Sequence, residues 1–451
     1  MKQFKILLLI GFLVIMVISC DRKSDYIIDV GLEVIKDNGS GTGTTTWRKG
    51  NQYLLDGFVF VNEGQTLTIE PGTVIRGRSG QGEQASALIV ARGAKIMAQG
   101  TAEDPIIFTG EDDDLQGSVS TTANGLWGGL ILLGHAPLNI TGNEAQIEGV
   151  PFYETRGIFG GNDEDDNSGI LKYVSIRHGG TDIGEGNEIN GLTLGGVGRA
   201  TTIEFVEIIS NKDDGIEFFG GNVNCRYILS VFNEDDAFDY DLGYSGKGQF
   251  WLAIQNPADG DLAVECGGGQ DPELGTPYSL PVIFNGTFIG RGSHITNHIV
   301  QFNKNAGGIF ANSIFSNQFG GISIEYKDAS SSSYAHFTNG NLEIKNNVFW
   351  NVADNISEDI FSVFAENGTN VTSQNQDFKA YFLQGTNVVS DPGFIISEDS
   401  YWLIPSNNVS GNLAPVPDSW FLEVNFKGAF GTVNWADEWT LLSQSGLLEV
   451  P

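Results

Sequence analysis

The fold is decided by the stretch VEIISNKDDGIEF, residues 206–218, whose pattern returns as ILSVFNEDDAFDY at residues 228–240. The two stretches are offset by 22 residues, and in each of them an acidic corner with one Asn separates two apolar runs. The aligned pairs are Asn211 with Asn233, Asp213 with Asp235, Asp214 with Asp236, Ile216 with Phe238, and Phe218 with Tyr240. Such a repeat is typical of one coil of a parallel β-helix, because a single coil buries little apolar surface until its neighbours stack on it. We therefore predict stacked coils about 4.8 Å apart, with a ladder of asparagines at the corner.

The same pattern of short strands extends over most of the chain. Related phrases lie at residues 314–322 and 344–349, and short runs of Ile, Val, Leu and Phe, separated by Gly, Asp or Asn, come before the repeat. After the N-terminal apolar run, no long window has a 3.6-residue apolar period, which argues against helical bundles and alternating βαβ units. We predict an all-β chain whose parallel β-helix covers residues 47–390.

The acidic corner is the strongest candidate site. If the 22-residue register holds, Asp213 and Asp214 lie one coil away from Asp235 and Asp236. Four carboxylates so close together raise one another's pKa, so the site needs a compensating group. A structural Ca²⁺ is one candidate, because calcium takes oxygen ligands from Asp and from backbone carbonyls. The alternatives are aspartates that cap backbone amides in a hydrated turn, or a catalytic pair.

A second acidic loop lies at residues 161–169. Asp163, Asp165 and Asn167 have the spacing with which a calcium-binding loop begins. Ser168 stands where such a loop has Gly, and Val174 where it has Glu, so the loop is not an EF-hand. Asp163 and Asp165 are therefore candidate metal ligands, with a hydrated acidic turn as the alternative.

Composition limits the partners. The 451 residues include 56 acidic and 24 basic side chains, a formal net charge of -32. This balance argues against nucleic acid as a partner, because phosphates are neutralised by Lys and Arg, and against attraction to anionic lipid by surface charge. Three cysteines do not form a disulfide scaffold or a zinc module, although their positions leave open whether Cys225 and Cys266 pair.

The N-terminus predicts where the protein is located. Lys2 and Lys5 precede an apolar run that ends at Ser19-Cys20, and charged residues follow at once. The run has signal-peptide length and resembles a bacterial lipoprotein signal over residues 1–19, in which Cys20 becomes the acylated N-terminus. An uncleaved N-terminal anchor is the alternative. Residues 20–46 end in a Gly/Thr-rich stretch, which predicts a flexible tether between the lipid and the body.

The C-terminal segment, residues 391–451, is rich in aromatic residues. Four of the chain's eight tryptophans lie there: Trp402, Trp420, Trp435 and Trp439. An open end of a β-helix is an unpaired sheet edge, so we predict that this segment is a cap over the last coil. A platform on which sugars stack is the alternative.

Several phrases resemble a family of bacterial (Bacteroidetes-like) envelope lipoproteins built as right-handed parallel β-helices. They lie at residues 67–75, 93–101, 105–109, 127–130, 173–180, 213–218 and 235–239. The resemblance implies a right-handed parallel β-helix in the cell envelope, and it supplies no catalytic residues because the family has no settled activity.

Together these features predict a non-catalytic lipoprotein on the outer membrane, held by its lipid and facing the cell exterior, with the periplasmic face as the alternative. It would bind or scaffold, as an accessory of an outer-membrane transport or assembly complex or in glycan capture. The alternative is a polysaccharide hydrolase or lyase that uses the paired aspartates. An enzyme is expected to hold Asp213, Asp214, Asp235 and Asp236 on the floor of an open groove, whereas in a scaffold they are packed, ion-bound or hydrated.

Overall fold

Three strands per coil wind the chain into a parallel β-helix, which confirms the predicted all-β fold. The computed structural model describes residues 31–184, 187–397, 400–407 and 409–449. One sheet of 18 strands forms two walls of the helix, and a sheet of 10 strands forms the third. Each strand pairs in parallel with the equivalent strand of the next coil, as the sequence repeat predicts.

The walls are named in the order in which a coil visits them. Wall 1 consists of the first halves of four long strands and of Thr45–Trp47, Thr66–Ile69, Lys95–Gln99, Val282–Phe284, Gly308–Ala311 and Leu342–Lys345. Wall 2 consists of the second halves and of Leu32–Ile35, Gln52–Leu55, Val74–Gly77, Ile106–Gly110, Thr287–Gly292, Ile314–Gln318, Val348–Val352 and Val388–Val389. Wall 3 consists of Phe58–Val61, Ala87–Val90, Leu130–Leu133, Leu192–Gly195, Ile216–Phe219, Phe238–Asp241, Val264–Cys266, His298–Phe302, Gly320–Glu325 and Phe361–Phe364.

The four long strands turn the corner between walls 1 and 2 without a loop. They are Gly169–Arg177, Thr202–Ile209, Asn224–Val231 and Lys247–Ile254. Each bends at one aromatic residue with positive φ, namely Tyr173, Phe205, Tyr227 and Phe250. These four rings stack along the outside of the helix with centroids 4.3–4.8 Å apart.

Short elements complete the fold. Three antiparallel hairpins pair Ala145–Gln146 with Ile158–Phe159, Thr181–Gly184 with Asn187–Ile189, and Ile395–Ile396 with Tyr401–Trp402. The α-helices are α1 (Ser333–Thr338), α2 (Thr372–Gln384) and α3 (Leu441–Gln444), and the 3₁₀ turns are Gly82–Gln84, Thr155–Gly157, Ala353–Asn355 and Ser357–Asp359. No helix in the described ranges is both long and apolar enough to cross a membrane.

The predicted register at the acidic corner is confirmed. Ile216 pairs with Phe238, and Phe218 with Tyr240. The backbone N–H of Asn211 donates to Oδ1 of Asn233, 3.1 Å away, so the asparagine ladder is present at this corner. Since every partner lies 22 residues further along the chain, the repeat alone fixes which side chains meet here.

The N-terminal boundary of the β-helix lies before the predicted one. Within the segment predicted as a tether, residues 20–46, Leu32–Ile35 pairs in parallel with Gln52–Leu55, and Thr45–Trp47 pairs with residues 67–69. The backbone hydrogen bonds that a neighbouring coil offers outweigh the flexibility suggested by the Gly/Thr composition. The predicted signal peptide and Cys20 lie outside the described residues.

The C-terminal segment lies along the side of the β-helix, which corrects the prediction of a cap over its end. Its described part, 391–397, 400–407 and 409–449, is called the strap below. Trp439 and Leu442 of the strap pack in one core with Leu229, Ile254 and other outward residues of wall 2. Because wall 2 carries apolar side chains on both faces in these coils, its outer face must be covered along its length.

Helix α2 covers the end of the β-helix instead. Its buried Phe378 and Phe382 lie 4.6 and 5.0 Å, between ring centroids, from Phe361 of the last wall 3 strand. The helix was not predicted, because only two of its 13 residues are buried and its apolar period is weak. Both cysteines left open by the sequence, Cys225 and Cys266, are buried free thiols.

Candidate acidic binding site

Asp214 and Asp236 hold the corner between walls 2 and 3 together. Oδ1 of Asp214 accepts a hydrogen bond from the backbone N–H of Asp236 at 2.9 Å, and Oδ1 of Asp236 accepts one from the N–H of Leu262 at 2.6 Å. Both side chains are buried. Each carboxyl group thus binds the backbone of the next coil and helps to hold the two coils together.

The four predicted aspartates come together as expected. Asp213, Asp214 and Asp235 each offer an oxygen within 4.8 Å of the others, and so do Asp235, Asp236 and Asp261. Burial first, and then neighbouring carboxylates, raise the pKa of Asp213 to about 8 and that of Asp235 to about 6. The same causes raise the pKa of Asp214 and Asp236 well above the ordinary range.

The second predicted pair, Asp163 and Asp165, lies on a different loop and is exposed. Asp165 accepts a hydrogen bond from Nε of Arg199 at 2.7 Å, and Oδ1 of Asp163 accepts one from the backbone N–H of Asp165 at 3.0 Å. Among the described residues, neither belongs to a cluster of three or more close carboxylates, histidines or cysteines. Arg199 also forms an ion pair with Glu164, so it offsets part of the charge of this loop.

A further row of carboxylates, which the sequence analysis did not single out, runs along the outer face of wall 3. Glu217 and Asp239 are paired residues of neighbouring strands, and with Asp214 they form a third close cluster. Asp241 is two residues beyond Asp239 and therefore points to the same side of the sheet. Nδ2 of Asn190 donates to Glu217 at 2.6 Å and to Glu148 at 3.2 Å.

Glu148 reaches this row from the loop of the hairpin formed by residues 145–159. Its Oε1 and the Oε2 of Glu217 accept from the same side-chain nitrogen of Asn190, so the two carboxyl groups are close neighbours. Burial raises the pKa of Glu148, and burial followed by the charge of Glu148 raises that of Glu217. Burial also raises the pKa of Asp239, and that of Asp241 to about 8, while Lys304 opposes both shifts.

A cavity of about 430 Å³ opens beside this row. Its apolar lining includes Phe159, Phe219 and Leu242, and its polar lining includes Glu148 and Gln270. Gln270 also lines a second cavity of about 390 Å³, which contains Lys304, Lys327 and several glutamates. In the row itself, Oδ1 of Asp239 and Oδ1 of Asp241 are buried and have no hydrogen-bond partner among the described residues.

The arrangement can bind cations and polar groups that donate hydrogen bonds. It is poorly suited to anions, because the carboxylates outnumber the nearby cations. Glu217 and Asp239 were within reach of sequence reasoning, since both alternate with inward apolar residues in the aligned repeat. Glu148 carries no such signal, because only the folding of a distant hairpin brings it to wall 3.

The comparisons with known proteins agree with this architecture. Residues 39–388 match the model of a family described as a pectate-lyase-like beta helix domain. Neither the curated proteins nor the solved structures gave a significant match. Since the matched residues make up more than half of the chain, the protein belongs to the family of pectate-lyase-like β-helix domains.

Proposed function

We propose that the protein binds its ligand on the acidic outer face of wall 3 and does not cleave it. One observation carries this proposal: the carboxyl groups of Asp214 and Asp236 are occupied by the backbone amides of Asp236 and Leu262. Because these two groups are buried and hold the coils together, they are poorly placed to exchange a proton with a substrate. The binding surface is then the row from Glu148 to Asp241 and the cavity beside it.

The spacing of the carboxyl groups argues against an inverting hydrolase. An inverting glycosidase needs two carboxyl groups about 6.5–9.5 Å apart, with a water between them, and a retaining one needs about 5–5.5 Å. Oxygens of Glu148 and Glu217 share the side-chain nitrogen of Asn190, at 3.2 and 2.6 Å, and oxygens of Asp213 and Asp235 lie within 4.8 Å of each other. Neither pair leaves room for the attacking water of an inverting enzyme.

The location belongs to the same proposal. Acylation of Cys20 after removal of residues 1–19 would hold the body at the outer membrane, facing the exterior. There it would serve a transport or assembly complex, or capture a glycan. This part of the proposal depends on the sequence of the N-terminus, which lies outside the described residues.

The location is tested by comparing the wild type with Cys20→Ala in the native host. We expect the wild type to incorporate labelled palmitate, to fractionate with the outer membrane and to be cut by protease added to whole cells. The variant is expected to lose the label and the membrane association. Equal fractionation of the two proteins would contradict the lipid anchor.

Cleavage of a polysaccharide, by a hydrolase or a lyase reaction, is the second candidate function. It is favoured by the family match and by carboxyl groups with raised pKa next to a cavity. Incubation with a panel of neutral and acidic polysaccharides, followed by assay of new reducing ends and unsaturated products, separates the two functions. Turnover that is lost in Glu148→Gln and kept in Asp163→Asn would establish the enzyme and contradict the binding proposal.

A further inference from the structure

We propose that the cavity beside wall 3 takes a ligand with a protonated amine next to an apolar ring or chain. Glu148 and Asp241 would hold the ammonium group, and Phe219 and Leu242 the apolar part. The inference rests on the proposed function, because it names the class of ligand for the same surface.

Asp241 supplies the first argument. Its side chain is only 6% exposed, and its Oδ1 has no hydrogen-bond partner, whereas Oδ2 accepts from Nε2 of Gln270 at 3.1 Å. A buried oxygen of this kind costs free energy until a donor reaches it. An ammonium group is a compact donor with three N–H bonds and no acceptor, so it meets this need and also offsets the charge.

Asp241 adjoins the cavity, because three of its neighbours line it. Its cross-strand partner is Phe219 and its neighbour in the chain is Leu242, and both line the cavity. Gln270, which binds the other oxygen of the carboxyl group, lines it too. Glu148 lines the cavity from the side of the hairpin formed by residues 145–159, and its charge adds to the effect of burial in raising the pKa of Asp241.

The rest of the cavity lining is apolar and suits an apolar ring or chain of the ligand. Phe159, Phe219 and Leu242 are at most 8% exposed, so the groove presents a small apolar surface directly beside the carboxylates. Aromatic faces also attract ammonium groups. A volume of about 430 Å³ falls within the range of sites for small molecules.

The chemistry of the lining favours an amine over a metal ion or an anion. Calcium takes six to eight oxygen ligands, whereas apolar side chains make up much of this cavity. An anion would meet Glu148 and Asp271, and the lysines of this region, Lys304 and Lys327, line the neighbouring cavity.

The test uses three probes of similar shape and different charge. Phenethylamine, phenethyl alcohol and 3-phenylpropionate are titrated into the purified protein at neutral pH, with binding followed by ligand-observed NMR. We expect phenethylamine to bind at least tenfold more tightly than the alcohol, and 3-phenylpropionate not to bind. Glu148→Gln and Asp241→Asn should each weaken amine binding about tenfold, while Asp163→Asn, which removes an exposed carboxylate elsewhere, should leave it unchanged.

Each outcome is decisive for one claim. Equal binding of the amine and the alcohol, or amine binding that survives both Glu148→Gln and Asp241→Asn in folded protein, would overturn the inference. Thermal melting of each variant identifies a loss caused by unfolding, and Glu148, which is less buried than Asp241, provides the variant less disturbing to the fold. If phenethylamine does not bind while a neutral glycan or an envelope protein binds to wall 3, the inferred ligand class is wrong and the proposed function stands.

Discussion

At the scale of single residues, neighbouring aspartates in this corner have different environments. Asp214 and Asp236 are buried and accept backbone hydrogen bonds, whereas Asp213 is half-buried and Asp235 is exposed. At each buried position the backbone N–H of the next coil needs an acceptor oxygen, and a neutral side chain can supply it as well as a charged one. Asn233 demonstrates the point, because its neutral amide oxygen accepts from the backbone N–H of Asn211 in the preceding coil at the same corner.

We therefore predict that Asp214→Asn and Asp214→Ala differ sharply in stability. The Asn variant keeps the acceptor for the N–H of Asp236 and removes a charge that burial disfavours, so at pH 8 it should be as stable as the wild type or more stable. The Ala variant leaves that amide unpaired, which should lower the free energy of unfolding by about 1–3 kcal/mol. Urea denaturation at pH 8 measures both, and an equal loss in the two variants would show that the carboxylate charge itself is required.

At the scale of elements, the strap is attached to wall 2 through one buried glutamate. Oε2 of Glu207 accepts from the backbone N–H of Leu441 at 2.8 Å, and Oε1 accepts from that of Leu442 at 3.0 Å. Ser175 Oγ donates to the same carboxylate at 2.6 Å. Helix α3 thus begins on a side chain from a strand more than 200 residues away, a contact that no local sequence pattern indicates.

Glu207→Gln should loosen the strap. The amide side chain offers one acceptor oxygen where the carboxylate offers two, so one of three donors stays unpaired, at a cost of about 1–3 kcal/mol. Limited proteolysis should then cut the strap near Leu441 faster than in the wild type. Glu204→Gln, on the same strand but half-exposed and paired with Lys172 and Arg226, is the matched control and should resemble the wild type. Identical cleavage of the two variants would argue against the attachment.

Helix α2 protects the last coil, and Phe378 is its main contact. The ring is fully buried and stacks on Phe361, with centroids 4.6 Å apart. Phe378→Ala should lower the free energy of unfolding by about 3–5 kcal/mol and promote aggregation through the uncovered edge. Leu383→Ala changes an exposed residue of the same helix and should be neutral. Denaturant melts and light scattering compare the two, and similar behaviour would mean that α2 is not the end cap.

At the scale of the whole molecule, the repeat predicted the coil and its register but not what covers it. The aligned pairs Ile216–Phe238 and Asn211–Asn233 meet as expected, because identical offsets place them on adjacent rungs. The position of the strap along wall 2 and the position of Glu148 beside wall 3 depend on contacts between distant segments. Such contacts leave no periodic trace, so the predicted site contained Asp213 and Asp235 and missed Glu148 and Asp241.

The excess of buried carboxyl groups should make stability fall as pH rises. The pKa of Asp241 is raised from 3.8 to about 8, so between these values the folded state binds more protons than the unfolded state. Relative to the wild type, Asp241→Asn should gain stability progressively from pH 4 to pH 8. Asp328 is the control with the opposite sign, because serine hydroxyls and backbone amides lower its pKa to about 2. Denaturation midpoints across this range test the prediction, and parallel curves for wild type and Asp241→Asn would contradict it.

Calcium is expected to relieve the repulsion between the carboxylates at the corner between walls 2 and 3. Oxygens of Asp213, Asp214 and Asp235 lie within 4.8 Å of one another, and a divalent cation that binds only the folded state raises its stability. Millimolar Ca²⁺ should therefore raise the melting temperature, more at pH 8 than at pH 5, because protons compete for these carboxylates, and EDTA should reverse the effect. The double variant Asp213→Asn/Asp235→Asn should abolish the rise, and Asp163→Asn/Asp165→Asn tests the second predicted loop in the same way. A melting temperature that does not respond to Ca²⁺ would mean that protons and backbone amides alone stabilise the corner, because the carboxyl groups then stay protonated or hydrogen-bonded without a metal.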